Sequence, residues 1–325
     1  MRLLKLIPDN TNIGFVRLRA WAFGLTALLT IAAAVLVGVR GLNYGVDFKG
    51  GVLIEARFPT PPSENTLRSD IDRLHVGEAA LSTFGGPNVF SIRLPLPNTN
   101  DEGATNRLVN NVKGALTAKY PGVAFNRAET VSGKVSDELI RNGLLAVFLA
   151  VTGIAVFSWI RYEWQFGVST FVAIFHDVLV TLGFFALTRL EFDLNIVAAV
   201  LTIIGYSIND KIVIDDRIRE NMRKYRQMDM RALIDLSVNE TLPRTVMTSL
   251  TILLALGAML AFGGPVLRGF TAAMMLGVVV GTYSSIYVSS SLLISLGLKP
   301  QLEAPKKKSG PADGAERIGR LSNRR

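Results

Sequence analysis

The chain has no cysteine, which excludes disulfide staples, cysteine-ligated zinc and thiol nucleophiles. Histidine is scarce too. His75 and His176 stand far apart in sequence, so a His-rich metal site is not expected and nothing asks for a cofactor. Charge is thin: 19% of the 325 residues are charged and 49% are hydrophobic, whereas a soluble domain carries about a quarter charged residues. No glycine-rich phosphate loop, nucleophile triad or metal set is present, so an enzymatic reading has little support. The charge that remains leans basic, at +9. Nucleic-acid binding is one meaning of such an excess, but the positions of the Lys and Arg residues point to a membrane topology with no nucleic acid involved.

The apolar residues collect into blocks long enough to cross a hydrocarbon core of about 30 Å at about 1.5 Å per residue. The expected spans are 21–39, 139–160, 165–188, 194–214, 246–262 and 271–298. A cleaved signal peptide is the rival for the first block, with Ala32-Ala33-Ala34 resembling a cleavage site, but the apolar run exceeds the usual length of about 7–15 residues and twenty residues precede it. Lys and Arg gather in alternate segments: Arg2 to Arg19 in residues 1–20, Arg161, Arg217 to Arg231 within a basic loop at 215–244, and Lys299 to Arg325 in a tail at 299–325. The opposite turns, at 189–193 and 263–268, hold one Arg each. The positive-inside bias therefore places both termini in the cytoplasm, with the long loop 40–137 outside. The tail reads as a disordered basic segment that meets membrane lipids.

Residues 40–137 alternate strand and helix patterns. Gly51–Phe58 alternates apolar and polar residues as a strand does, and Ser63 is a fitting N-cap for a helix over 63–74 that ends near His75. Strands at 78–84 and 89–94 flank a turn at Gly85-Gly86-Pro87-Asn88. A helix at 101–120 opens on Asp101-Glu102, two acids that suit a helix N-terminus, and a last strand covers 123–131. The order β-α-β-β-α-β is that of a ferredoxin-like α+β domain. The expected fold class is thus an α-helical integral membrane protein with six spans and one ferredoxin-like domain between the first two.

Ionisable groups within a span are costly and point to function. The densest set lies in the fourth span, with Tyr206, Ser207, Asn209, Asp210 and Lys211. Helical spacing sets Ser207, Asp210 and Ile214 on one stripe with Tyr206 beside it. Asp210 must pair, meet water or bind a proton, and a carboxylate so placed can take a proton from one side and release it to the other. Arg244, at the approach to the fifth span, is its natural counter-charge, because an Arg stays protonated throughout. His176 and Asp177, mid-way along the third span, make a second relay candidate or a structural bond between helices. Lys211 has Asp215 four residues on, an i,i+4 pair that reads as compensation at the membrane edge. Gly277, Gly281, Ser285 and Ser289 recur every fourth residue in the sixth span, a small-residue packing face.

Gly205–Asn221 (GYSINDKIVIDDRIREN) resembles the fourth-span signature of the SecF subunits of the bacterial Sec export machinery, members of the RND superfamily. Gly45–Gly51 (GVDFKGG), Asn239–Thr251 (NETLPRTVMTSLT) and Gly263–Phe270 (GGPVLRGF) resemble three more of that family's segments in the right order. The resemblance implies a heterodimer with SecD, which supplies a second six-helix half. It implies association with the SecYEG channel and YajC, contact with translocating preproteins, and the bacterial inner membrane as location. It implies a non-enzymatic subunit that uses the proton-motive force in late, ATP-independent steps of export, with protons as coupling ion. On the family pattern Asp210 and Arg244 match the essential membrane pair. Gly45, Asp47, Phe48, Gly50 and Gly51 match an outer-side motif with a coupling or structural role. Lys211 departs from the family's usual small Thr or Ser. A small-molecule or lipid exporter of the superfamily is disfavoured by six spans and one small domain. A non-transporting scaffold is the remaining alternative, and under it the Asp210–Arg244 pair is dispensable.

Overall fold

The computed structural model describes residues 8, 11–83, 86–97, 102–264 and 267–299. The tail from residue 300, Asp101 and Gly85 lie outside them. Among the described residues six helices are long and apolar enough to cross a membrane: Val16–Arg40, Lys134–Arg161, Trp164–Thr188, Leu194–Lys224, Met230–Phe262 and Arg268–Ser295. Their main bodies are α1 (Arg19–Arg40), α5 (Gly133–Arg161), α6 (Trp164–Thr188), α7 (Leu194–Lys224), α8 (Met230–Phe262) and α9 (Arg268–Tyr283). The last span changes pitch, from α9 through a π-helical segment at Ser284–Ser289 into α10 (Ser290–Ser295). α7 lies at the centre, packed by α5, α6, α8 and α9, while α1 rests mainly on α6.

Between α1 and α5 the order is β1 (Asn43–Tyr44), α2 (Val46–Lys49), β2 (Gly51–Arg57), α3 (Glu64–Asp72), β3 (Ala80–Thr83), β4 (Val89–Leu94), α4 (Glu102–Lys119) and β5 (Ala124–Val131). The four-stranded sheet runs β3-β4-β2-β5, antiparallel throughout, which is the ferredoxin-like order expected. Ser63 caps α3 by accepting from the Thr66 amide at 3.1 Å, and His75, at φ 54°, marks the turn after that helix. Val52, Ile54 and Ala56 of β2 pack with Leu67 and Ile71 of α3 and with Val112 and Leu116 of α4, closing the domain's own core.

Burial along β2 does not alternate as the sequence pattern predicts. Leu53 and Glu55 are also buried, because β2 is an inner strand and its second face is covered by the outer ends of the bundle. That face borders a polar cleft of about 270 Å³ whose lining includes Glu55, Arg127, Glu191 and Asp193. Arg93 of β4 bridges the junction, donating to Glu191 at 2.9 Å and to the Tyr44 carbonyl at 2.9 Å.

The expected basic loop at 215–244 is helical. α7 continues to Lys224 and α8 starts at Met230, so the turn is only 225–229. The Arg-rich stretch reads as loop in a hydropathy scan but is held as helix by cross-links, Arg217 to Glu240 at 2.7 Å and Asn221 to Ser237 at 3.0 Å. α8 also runs through Pro243. The N-terminal approach is clamped to this hairpin. Ile13 exchanges two hydrogen bonds with the Asn239 side chain, and the Val16 amide donates to Asp235 at 2.8 Å.

Candidate functional site

α7 starts at the junction between the domain and the bundle. Two carboxylates meet its first amides: Asp193 accepts from Ile196 at 3.1 Å and Asp47 accepts from Leu194 at 2.9 Å. Acids at this end favour the positive pole of the helix dipole. Asp47 belongs to the Gly45–Gly51 motif, whose other parts fix its place. The Gly45 amide donates to the Phe192 carbonyl at 2.9 Å, beside the parallel pairing of β1 with β6 (Glu191–Phe192). Ser136, near the start of α5, donates to the Asp47 carbonyl at 2.9 Å. Phe48 packs on Phe192, with ring centroids 5.7 Å apart. Gly50 (φ 68°) and Gly51 (φ 122°) turn the chain sharply into β2, and a Cβ on Gly51 would sit 2.6 Å from the Leu94 carbonyl oxygen. The motif thus joins the domain's central strand to the head of α7, the helix that holds Asp210.

Further down α7, the Tyr206 hydroxyl meets Ser249 of α8 at 2.9 Å, and Ser249 meets Thr282 of α9 at 2.8 Å. One turn on, Asp210 is 3% exposed, and its Oδ2 has no hydrogen-bond partner among the described residues. Arg244 of α8 is the cation whose charge reaches it, yet the two do not form one of the ion pairs within 4.0 Å. Arg244 itself is exposed on the outside of the bundle, as is Asn209. The expected pair is therefore within electrostatic range across α7 and α8 but not in direct contact, and its basic member faces outward.

The stripe drawn through Ser207 and Asp210 divides in the fold. Ser207 points to α6 and donates to Asp177 Oδ2 at 2.7 Å. Ser284 of the π segment donates to the same oxygen at 2.8 Å, and His176 Nδ1 lies 3.0 Å from Asp177 Oδ1. His176 and Asp177 are both buried, so a hydrogen bond between helices does exist at this position.

Lys211 is where the sequence reading needs correcting. It and Asp215 are buried within the bundle, 1% exposed each. Their side chains do not join as an ion pair. The Lys211 ammonium donates to Ser289 and, at 3.4 Å, to Ser169 of α6. Gly277 and Gly281 do form the expected packing face, since a Cβ on Gly277 would collide with Ile203 and one on Gly281 would sit 3.1 Å from the Ser207 Cβ. Ser285 and Ser289 continue that face into polar contacts, Ser285 donating to the Ser207 carbonyl at 3.4 Å. The serines of the last span were legible only as small residues. Their chemical role depends on the π segment, which no local pattern announces.

The comparisons with known proteins agree with this architecture. The family model for the SecD/SecF C-terminal region of protein export membrane proteins matches residues 111–299, and the SecD/SecF GG motif matches residues 35–61. Protein translocase subunit SecF of Rhodobacter capsulatus is 43% identical, covering 95% of both chains. SecF of Rickettsia rickettsii is 38% identical over 89% of this chain and 94% of its own. The crystal structure of SecDF, a translocon-associated membrane protein from Thermus thermophilus, is 36% identical with a TM-score of 0.81. It matches 90% of this chain, which spans 39% of that longer one. SecDF in its super-membrane-facing form gives a TM-score of 0.66 at 34% identity, covering 96% of this chain and 40% of its own. Six helices suited to crossing a membrane, with a ferredoxin-like domain between the first two, make this a multi-pass membrane protein, and its relatives are named as protein translocase subunits, a transport component. The chain belongs to the SecD/SecF protein-export family, on its SecF side, as a protein translocase subunit.

Proposed function

We propose that this chain works with a SecD-type partner at the SecYEG channel, with YajC as an accessory, and converts proton-motive force into late, ATP-independent steps of preprotein export. The bacterial inner membrane is its place, both termini in the cytoplasm and the ferredoxin-like domain outside. The observation that supports this reading is Asp210, a carboxylate buried mid-helix with an oxygen left unpartnered beside a cation that cannot lose its proton. When Arg244 closes on it, the carboxylate is held ionised. When the two separate, a proton neutralises it. One charge moved through 100 mV supplies about 2.3 kcal/mol, enough to bias a two-state cycle by roughly fifty-fold. The head of α7 is held by Asp47, so a shift of α7 reaches the domain without an intervening flexible loop. The outward-facing Asn209 and Arg244 suit a face that a second six-helix half would cover.

The test is Asp210→Asn in cells lacking the native chain, with release of a secreted protein into the periplasm followed by pulse-chase. Normal membrane accumulation with at least ten-fold slower release is expected. Release at the wild-type rate would favour a scaffold and remove the proton-coupled reading.

A further inference from the structure

The Asp210 site does not use the second buried polar cluster of the bundle. That cluster runs along the seam of α6, α7 and the π segment. At one end Asp177 accepts from Ser207 and Ser284 and lies against His176. One turn along α7 and the last span, Lys211, Ser289 and Ser169 meet. One further turn along α7 is Asp215. The seam ends in unpartnered titratable atoms on both sides: His176 Nε2 at one end, and both carboxylate oxygens of Asp215 at the other, among the described residues. Its centre is an ammonium with almost no exposure, acted on by Asp215 and Asp177, while Asp215 is acted on by Lys211 and Asp216. The π segment supplies hydroxyls here, and such segments recur at functional positions.

Depth gives the seam a direction. At about 1.5 Å per residue, Ser207 lies roughly 20 Å, Lys211 roughly 26 Å and Asp215 roughly 32 Å from the outer end of α7. Asp215 therefore falls at the inner boundary of a hydrocarbon core of about 30 Å. Just beyond it, exposed Asp216 accepts from the Tyr162 hydroxyl at 2.9 Å and lies 4.0 Å from Arg161.

A structural pair would be expected to close on itself. A buried ammonium and a buried carboxylate one turn apart gain most by direct contact, and leaving a carboxylate without a donor is costly. Here the ammonium is turned toward serine hydroxyls instead. We infer that Lys211 and Asp215 are a second proton-exchange pair within this chain, fed from Asp177 and His176 through serine hydroxyls and emptied toward the cytoplasm. In the forward step the Lys211 side chain turns from the serines to Asp215, one turn along α7, and the proton on its Nζ passes to an Asp215 oxygen, leaving a neutral amine and a neutral acid. A proton relayed from the Asp177 end restores the ammonium. The Asp215 acid then releases its proton past Asp216, and both groups return to their starting charge. This deepens the proton-driven reading and rests on it.

The test compares the full chain with Asp215→Asn, Asp215→Glu and the double variant Lys211→Met/Asp215→Asn, with Asp210→Asn as reference. The double variant removes both charges together and nearly keeps volume, so the bundle holds no orphaned ion. The expected result is wild-type accumulation of the double variant with export slowed at least ten-fold and its pH profile flattened. Asp215→Glu should restore both rate and profile. Wild-type export from the double variant, with Asp210→Asn slow, would overturn the exchange pair and leave the proposed function standing. Wild-type export from Asp210→Asn as well would overturn both. A second measurement covers the case in which the variants fail to accumulate. The wild-type chain labelled with ¹³C-aspartate, in phospholipid vesicles, is followed by infrared difference spectroscopy between pH 5 and pH 9. A buried carboxyl band that titrates and persists in both Asp210→Asn and Asp177→Asn supports the pair, and absence of any such band overturns it.

Discussion

Asp47→Ala tests whether the domain and α7 are mechanically joined. The substitution removes the carboxylate that accepts from the Leu194 amide at 2.9 Å. It leaves three other ties: the Gly45 amide to Phe192, Ser136 to the residue 47 carbonyl, and Asp193 to Ile196. The domain should therefore stay folded and only the head of α7 should loosen. Loss of an N-terminal cap costs about 0.5–2 kcal/mol, and this bond is solvent-exposed, so about 1 kcal/mol is the fitting figure. That corresponds to roughly five-fold in the local opening equilibrium. Hydrogen exchange read by mass spectrometry, on the full chain in lipid, should show about five-fold faster exchange in a peptide covering 191–198. A peptide from β2 should be unchanged. Asp47→Asn keeps an acceptor oxygen and should fall between. Equal exchange at 191–198 in wild type and Asp47→Ala would refute the join, and slower export without that loosening would place the role of Asp47 elsewhere.

Two more outcomes are expected. Gly277→Leu forces a side chain into Ile203 and should destabilise the α7–α9 contact by about 1–3 kcal/mol, seen as reduced chain level in membranes; a wild-type level would show that the two helices can separate freely. At the cleft between domain and bundle, burial holds the carboxyls of Glu191 and Glu55 above their ordinary 4.5, against the opposing Arg93 and Arg127, and holds Asp193 above its ordinary 3.8. Groups so shifted bind more protons folded than unfolded, so their stabilisation is complete below the ordinary values and is lost as pH rises through the raised ones. Intrinsic-rate-corrected exchange across 51–57 and 191–196 should be slower at pH 5 than at pH 7.5, and the opposite order would contradict the assignment.

The spans and the domain were legible because their signals are local. Strand 89–94 falls on β4, and the third span differs from α6 by a single residue at its start. The loop expected at 215–244 failed because Arg, Lys and Glu lower hydropathy without ending a helix. There a charged helix is held by its neighbour rather than by lipid. Asp210, Asp177 and His176 could be picked out as costly groups in apolar runs. The partner that the last span brings to Asp177 could not, since Ser284 lies 107 positions further along the chain. Lys211 shows the limit best. Spacing pointed to Asp215, whereas packing delivered the ammonium to hydroxyls on two other helices.

The sheet order bears on how the outer domain can move. The chain enters the domain through α2 into β2 and leaves it from β5 into α5, and β2 and β5 are hydrogen-bonded neighbours. Both tethers therefore sit side by side, about 5 Å apart, as on a door hung from one jamb. β3 is the free edge, and the Arg93–Glu191 bridge on β4 lies between hinge and edge like a catch. A swing about these tethers would have its largest arc at β3 and its smallest at Asp47, so a small displacement at the head of α7 would become a long sweep at the far rim.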